Sequence, residues 1–182
     1  MTDKQTEKHI LTLFNNPLTK EKGFNLLINT YKEPIYFQIR RMLSNHQDTD
    51  DVLQEVFVKC WRNLHQFKEN AKLATWLYKI AYNESLMWLR KNKKHQNLAL
   101  ESVGENKAPQ TTIFSKNANE ISMLLEKAIR TLPEKQKYIF QLKYFEDLSY
   151  KEIQEITGGS IGGLKASYHH AVKKIKINLD GH

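Results

Sequence analysis

In the last third of the chain, a helix-capping motif is followed by a glycine turn and a second helix cap, and this order constrains the fold more than any other feature. Ser149 can cap a helix, and Glu152, three residues later, completes a capping box. Ile156 belongs to the apolar side of that short helix, and Gly158 gives the backbone freedom that a sharp turn between helices requires. Ser160 then caps a second helix. The pattern predicts a helix-turn-helix of the kind that binds DNA.

The second helix has two chemically different sides. Its apolar stripe consists of Ile161, Leu164, Tyr168, Val172 and Ile175. Its opposite side carries Lys165, His169, Lys173 and Lys176. Gly162 and Gly163 each cost roughly 1 kcal/mol relative to alanine in a helix, but at a helix N-terminus they let a phosphate or a base edge approach the free N–H groups. The alternative is an ordinary pair of packed helices with a solvated basic side.

Composition limits the classes of protein to consider. The chain has 182 residues and a net charge of +8, which fits one medium or two small domains and favours a polyanionic partner. A solvated lysine surface would give the same charge. No apolar run reaches membrane-spanning length, and the first residues lack a signal-peptide core. The single cysteine, Cys60, excludes an internal disulfide and a multi-cysteine zinc site, fits a reducing cytoplasm, and is expected to pack in the core.

The periodicity predicts an all-α fold, since strand signals are nearly absent. The expected N-terminal helices are one around Ile10 to Phe14, one over 24–31, one starting at Pro34, one over 53–64, and one from Trp76 to about Lys91. Gly, Pro, Ser, Asn, Gln and Thr dominate from about residue 95 to 119, which is typical of a linker. The sequence predicts two small helical domains, 1–95 and 119–182, joined by a flexible linker over 96–118.

Aromatic and basic residues alternate in the N-terminal domain between Phe67 and Asn83. Such a surface suits single-stranded nucleic acid, because rings stack on unpaired bases while cations follow the phosphates. An aromatic residue at helical spacing can equally belong to the core, and this alternative stays open for Trp76. Trp61 and Trp88 are expected to pack.

Acidic residues gather at the start of the helix that precedes this segment. They are Asp48, Asp50, Asp51 and Glu55. A helix N-terminus favours carboxylates by itself. An acidic surface on a net-basic protein is also a plausible docking site for a basic protein partner.

In these motifs the chain resembles the bacterial sigma factors of the extracytoplasmic-function (ECF) group, the small members of the sigma-70 family. The resemblance covers roughly residues 24–94 and 124–177. Its motifs are Asp51–Phe57, Thr75–Asn83, Leu132-Pro133, Leu142–Ile153 and the helix-turn-helix. It implies a domain similar to sigma region 2, a second similar to sigma region 4, and no extra domain between them.

The resemblance also implies a role for each motif. Asp51, Gln54 and Glu55 would bind the clamp helices of the polymerase β′ subunit. The residues implied at the −10 promoter element are Phe67, Lys68, Asn70, Trp76, Lys79 and Asn83. Those implied at the −35 element are Ser160, Gly162, Gly163, Lys165, Ser167, His169, His170 and Lys173.

The partners implied are core RNA polymerase, including its β flap, and promoter DNA. Many members of the group are also held inactive by an anti-sigma factor. No cofactor, metal ion or small-molecule substrate is expected, since no ligand spacing, nucleophile–base pair or phosphate-binding glycine loop occurs. We expect a monomer in the free state and a cytoplasmic location.

The chain departs from the family pattern in the second helix. Many members have Thr-Val-Lys-Ser-Arg where this chain has Gly163-Leu164-Lys165-Ala166-Ser167, and His170 replaces an arginine near the end of that helix. Met87 stands where an acidic or amide residue is common. The changes at positions 163, 166, 167 and 170 shift the expected −35 recognition from guanidinium contacts towards shape, backbone and lysine contacts.

Two other classes of function remain open at this stage. A stand-alone regulator would bind operators with the helix-turn-helix and use its N-terminal helices to sense a ligand or dimerise. An interaction adaptor would leave the basic side of the helix without a role. The regulator would need neither the acidic segment nor the aromatic and basic segment, so the sigma-factor interpretation explains more of the chain.

Overall fold

All regular secondary structure that can be assigned in this chain is helical. The structure is a computed structural model that describes residues 4–43, 45–68, 71–100 and 120–180, with the backbone alone for 93–100, 120–122 and 180. The helices are α1 (Lys4–Asn15), α2 (Lys20–Met42), α3 (His46–Asn63), a 3-10 turn (Leu64–Gln66), α4 (Leu73–Leu100), α5 (Glu120–Arg130), α6 (Glu134–Tyr144), α7 (Tyr150–Thr157) and α8 (Ile161–Asp180). The predicted all-α class is confirmed.

The chain divides into two compact units, Met1–Pro109 and Gln110–His182. The two helical domains expected from the sequence are therefore present. Helix α4 runs beyond the end predicted near Lys91 and includes residues 96–100 of the predicted linker. The rest of that linker, 101–118, lies outside the described residues, and the exact domain boundaries stay predictions.

Helix α2 is the centre of the N-terminal unit. One stripe of it is buried along its length, at Gly23, Leu27, Tyr31, Ile35 and Ile39. The spacing of four residues keeps these positions on one side of the helix. Helices α1, α3 and α4 all pack against α2.

Pro34 lies inside α2, so the prediction that it begins a new helix is wrong. Proline removes the helical hydrogen bond to the carbonyl of Thr30. The buried stripe nevertheless continues on both sides of it, at Tyr31 and Ile35, which are 3% and 0% exposed. Most of the stability of a helix in a protein comes from packing its apolar side, and that packing here outweighs one lost hydrogen bond.

Helices α2 and α3 both hold α4 in place. The Gln38 side-chain amide of α2 donates a hydrogen bond of 3.1 Å to the Tyr78 carbonyl of α4. Lys59 of α3 forms an ion pair of 2.6 Å with Glu84 of α4. Leu73, Leu77 and Ala81 are fully buried on the inner side of α4, which fixes the sides of α4 that face solvent.

Helices α1 and α2 lie close together at Gly23. A Cβ atom at that position would lie 2.5 Å from the backbone nitrogen of Phe14. The Thr19 hydroxyl donates a hydrogen bond of 2.9 Å to the Leu13 carbonyl, and the Phe14 ring meets Trp61 edge-on at a centroid distance of 5.5 Å. These contacts fix the position of α1 along α2.

Cys60 is fully buried in α3, as predicted. Burial raises the pKa of its thiol to about 12. Its role is core packing, because a thiol that stays protonated is a poor nucleophile.

The core of the C-terminal unit surrounds Phe140. Its buried members are Ala128, Ile129, Leu132, Phe140, Ala171 and Ile175, contributed by α5, α6 and α8 together with the turn after α5. The Tyr168 ring stacks on Phe140 at a centroid distance of 5.8 Å. Of the predicted apolar stripe of α8, Ile161 is 40% exposed while Leu164 is buried, so α8 packs from Leu164 onward.

We expect Gly23→Ala to destabilise the N-terminal unit by about 1–3 kcal/mol, because the added methyl meets backbone atoms that cannot rotate away. Urea unfolding of the full chain measures the change. Lys22→Ala, at an exposed neighbouring position of the same helix, is the matched control. A Gly23→Ala protein as stable as the wild type would contradict the close contact between the two helices.

Candidate nucleic-acid and polymerase interfaces

Four polar side chains of α3 form one exposed surface, here called the α3 acidic surface. They are Asp50, Asp51, Gln54 and Glu55. The opposite side of the helix, including Val56 and Cys60, is fully buried. This packing directs the three carboxylates and the amide to solvent.

Asp48 does not belong to this surface, although the sequence grouped it there. The side chain of the N-cap residue Asn45 accepts a hydrogen bond of 2.8 Å from the Asp48 backbone. The Asn45 amide also pairs with the half-buried Asp48 carboxylate. Asp48 therefore stabilises the start of α3.

A groove of about 790 Å3 borders the α3 acidic surface, between α2 and α3. Its apolar lining consists of Phe24, Ile28, Leu53, Phe57, Val58 and Trp61. Its polar lining consists of Asp50 and Gln54 together with Lys32 and Arg62. A partner can bury apolar side chains here and pair its cations with the acidic surface.

The outer side of α4 carries a second stripe, here called the α4 stripe. Its members, Trp76, Lys79, Asn83, Met87 and Arg90, follow one another at three- or four-residue spacing. Trp76 is half-buried and the other four are exposed. The three residues named in the sequence analysis, Trp76, Lys79 and Asn83, thus share one solvent-facing side of one helix.

Two aromatic rings meet where the preceding loop joins α4. The centroids of Phe67 and Trp76 are 5.6 Å apart, with the rings tilted at 57°. Both side chains are half-buried, so neither is a pure core residue, and Lys68 beside them is exposed. Asn70, also predicted for this site, lies outside the described residues. The described part combines aromatic surface and positive charge, which suits an unpaired strand.

The helix-turn-helix has the local structure that its sequence predicts. Ser149 and Glu152 form the capping box at the start of α7. Gly158 and Gly159 adopt φ angles of 76° and 86°, which only glycine accepts readily. The Gln154 side chain donates a hydrogen bond of 2.7 Å to the Gly159 carbonyl and closes the turn.

The start of α8 presents bare backbone to solvent. The Ser160 hydroxyl accepts a hydrogen bond of 3.1 Å from the Gly163 amide. A Cβ atom on Gly162 would have no atom within 4 Å, and one on Gly163 would lie 3.2 Å from the Ser160 hydroxyl. Packing within the protein therefore does not require a glycine at position 162.

The predicted −35 residues lie on the solvent side of α8 and its cap. Ser167 is half-buried, and the exposed members are Ser160, Gly162, Gly163, Lys165, His169, His170 and Lys173. The Lys165 ammonium lies 5.8 Å from the centre of the Tyr150 ring of α7. The ring orients this lysine beside the first turn of α8.

The described residues contain neither a cluster suited to a metal ion nor a helix suited to a membrane. No group of three or more His, Cys, Asp or Glu side chains is arranged to hold a metal ion within the part of the chain that the structure describes. Among the described helices, none combines the length and the apolar character needed to cross a membrane.

Known proteins match both units of the chain. The model for sigma-70 region 2 matches residues 27–95, and a model for sigma-70 region 4 matches residues 122–175. The ECF RNA polymerase sigma factor SigW of Bacillus subtilis is 30% identical over 87% of this chain and 90% of its own length. The ECF RNA polymerase sigma-E factor of Haemophilus influenzae is 29% identical over 87% of this chain and 88% of its own.

Solved structures show the same fold. The sigma factor RpoE of Bartonella quintana, in complex with the anti-sigma factor NepR, aligns with a TM-score of 0.73 at 21% identity, covering 87% of this chain and 98% of that one. CnrH, in complex with the cytosolic domain of CnrY, aligns with a TM-score of 0.69 at 17% identity, covering 97% of this chain and 98% of that one.

Region 2 and region 4, in this order on one chain, define a sigma factor of the sigma-70 class. The chain belongs to the extracytoplasmic-function group of that family. Its function is that of a transcription initiation factor, with core RNA polymerase and promoter DNA as partners. The family and function predicted from the sequence are confirmed, and the stand-alone regulator is not favoured.

We expect Gly162→Ala to raise the stability of the protein and to weaken its binding to DNA. Alanine in the first turn of α8 meets no atom and is the better helix former, so stability should rise by up to about 1 kcal/mol. The same methyl group should weaken binding to duplex −35 DNA, because it covers the N–H groups that a phosphate or base would approach.

Thermal unfolding and a duplex-binding assay check the two halves of this prediction. Gly163→Ala should gain less stability, since its methyl group crowds the Ser160 hydroxyl. Unchanged DNA affinity in Gly162→Ala would show that DNA does not approach this backbone.

Proposed function

We propose that three surfaces divide the work of initiation in this sigma factor. The α3 acidic surface binds the clamp helices of the polymerase β′ subunit, the α4 stripe engages the −10 element, and the start of α8 enters the major groove at the −35 element. The observation that carries the proposal is the α4 stripe itself. It begins at a half-buried aromatic pair and continues through Lys79 and Asn83, which are both exposed to solvent.

Strand opening by this surface needs no covalent chemistry. Removing a base from the duplex stack costs a few kcal/mol. Stacking it on an aromatic platform returns about 1–3 kcal/mol. The two amounts nearly balance, so polymerase contacts decide the outcome. The half-buried Trp76 suits this role, because its inner part packs while its outer part stays accessible.

Recognition of the −35 element would depend on backbone and lysine contacts. The exposed N–H groups at the start of α8 would bind a phosphate, since the helix dipole favours an anion there. Lys165 and Lys173 would neutralise further phosphates, while His169, His170 and Ser167 would offer hydrogen bonds to the groove. Because Ser167 stands where many family members have an arginine, the shape and deformability of the DNA would contribute more to the specificity.

The likeness to RpoE supports an anti-sigma factor as a further partner, since RpoE was solved in complex with the anti-sigma factor NepR. The α2–α3 groove and the acidic surface would be covered in such a complex, which would block polymerase. The C-terminal unit would also contact the β flap of polymerase. The protein would act as a monomer in the cytoplasm, without a cofactor, a metal ion or enzymatic chemistry of its own.

Gln54→Ala combined with Glu55→Lys should weaken binding to core polymerase by roughly tenfold or more, because it removes an amide and reverses a charge within the acidic surface. A pull-down with purified core polymerase measures this. Glu33→Lys, an equal charge reversal at an exposed position of α2, is the control. A wild-type chain that fails to bind core polymerase yet shifts duplex DNA would favour the stand-alone regulator.

Trp76→Ala should leave binding to core polymerase intact and lower open-complex formation by about 5- to 150-fold, which corresponds to losing one stacked base. Permanganate footprinting of the melted region measures the effect. Phe37→Ala, which removes another partly exposed ring of the same unit, is the matched control. Normal transcription by Trp76→Ala would assign that ring to packing alone.

A further inference from the structure

Helix α4 begins directly after a residue whose side chain cannot accept a hydrogen bond. Its first helical residue is Leu73, and the Trp76 amide bonds to the carbonyl of Lys72 at 3.2 Å, which makes Lys72 the N-cap residue. A lysine side chain has donors and no acceptor. The first N–H groups of a helix have no partner within the helix. Within the part of the chain that the structure describes, the acceptor at the start of α4 comes from a distant helix.

Glu7 of α1 supplies that acceptor. One oxygen of its carboxylate accepts a hydrogen bond of 3.3 Å from the Leu73 amide, and the other accepts one of 3.0 Å from the Tyr31 hydroxyl of α2. Leu73 and Tyr31 are 0% and 3% exposed, and Glu7 is half-buried. A carboxylate at this point also interacts favourably with the dipole of α4.

The position of Glu7 is set by the contact between α1 and α2. Gly23 leaves no room for α1 to move towards α2, and the Thr19 hydroxyl holds the end of α1 by its bond to Leu13. Ile10, one turn after Glu7, is fully buried. The carboxylate therefore joins three helices at one point, although α1 has no residue in the α3 acidic surface or the α4 stripe.

We propose that Glu7 is a positioning residue for −10 recognition, acting as a cap that α1 provides for α4. It would hold the start of α4, and with it the Trp76 ring beside Phe67, in the geometry that accepts an unpaired base. A surface ordered in advance binds more tightly, because less conformational entropy is lost on binding. This inference rests on the proposed −10 role of Trp76 and its neighbours.

The test uses holoenzyme assembled with the full-length chain carrying Glu7→Ala or Glu7→Gln. Its DNA probes are a fork with an unpaired non-template −10 strand and a duplex carrying the −35 element alone. Glu7→Ala should bind the fork roughly fivefold more weakly, the typical effect of losing a cap. The affinity of the variant for core polymerase and the affinity of its holoenzyme for the −35 duplex should each change less than about twofold. Glu7→Gln, which keeps an oxygen acceptor, should recover most of the loss, and Glu33→Ala is the charge-matched control.

Amide hydrogen exchange of the same proteins gives a readout that does not depend on DNA. Glu7→Ala should speed exchange in the first turns of α4, residues 73–80, and leave α3 unchanged. Equal exchange and equal fork affinity in Glu7→Ala and wild type would overturn the inference. So would a parallel loss of core binding with faster exchange throughout the unit, since that pattern describes a residue needed only for folding.

Trp76→Ala on the same fork probe separates this inference from the proposed function. If Trp76→Ala weakens fork binding and Glu7→Ala does not, only the role of Glu7 is overturned. If neither variant weakens binding to the fork, both the proposed −10 surface and the role of Glu7 are overturned.

Discussion

The N-terminal unit depends on the burial of one continuous stripe of α2. Three helices cover that stripe, from Gly23 at one end to Ile39 at the other. Each of them must turn an apolar side inward, so the packing also decides which side of each helix remains in solvent. Because α3 and α4 pack their apolar sides against the rest of the unit, the α3 acidic surface and the α4 stripe face solvent. The side chains of such a surface keep a fixed geometry because the core holds the helices that carry them.

Helix N-termini link the fold to the function in both units. Three helices, α3, α7 and α8, are capped by the side chain of the residue just before them, at Asn45, Ser149 and Ser160. Helix α4 instead receives its acceptor from Glu7. The start of α8 is open to a DNA ligand, whereas the start of α4 is tied to the rest of its unit. The same unpaired N–H groups thus serve recognition in one unit and positioning in the other.

The sequence predicted the features whose causes are local. The capping box, the glycine turn and the basic side of α8 need only neighbouring residues, and all appear in the structure. The expected break at Pro34 was wrong because α2 is stabilised by contacts with helices distant in sequence. The apolar stripe of α8 was predicted in part, since Ile161 precedes the turns that pack, and Ala171 is too small to stand out. No sequence signal gave Glu7 a role.

The sequence by itself determined the helical class, the helix-turn-helix and the family, because periodicity, capping and motif order can be read along the chain. It also supplied the residues of the proposed polymerase and promoter surfaces. Only the tertiary structure decided which of these share one solvent-facing side, that Asp48 belongs to a cap, and that Trp76 is partly accessible. It alone brought Glu7 to Leu73, sixty-six residues away. The physical reason is that burial and long-range hydrogen bonds depend on how helices pack, and packing is a property of the whole unit.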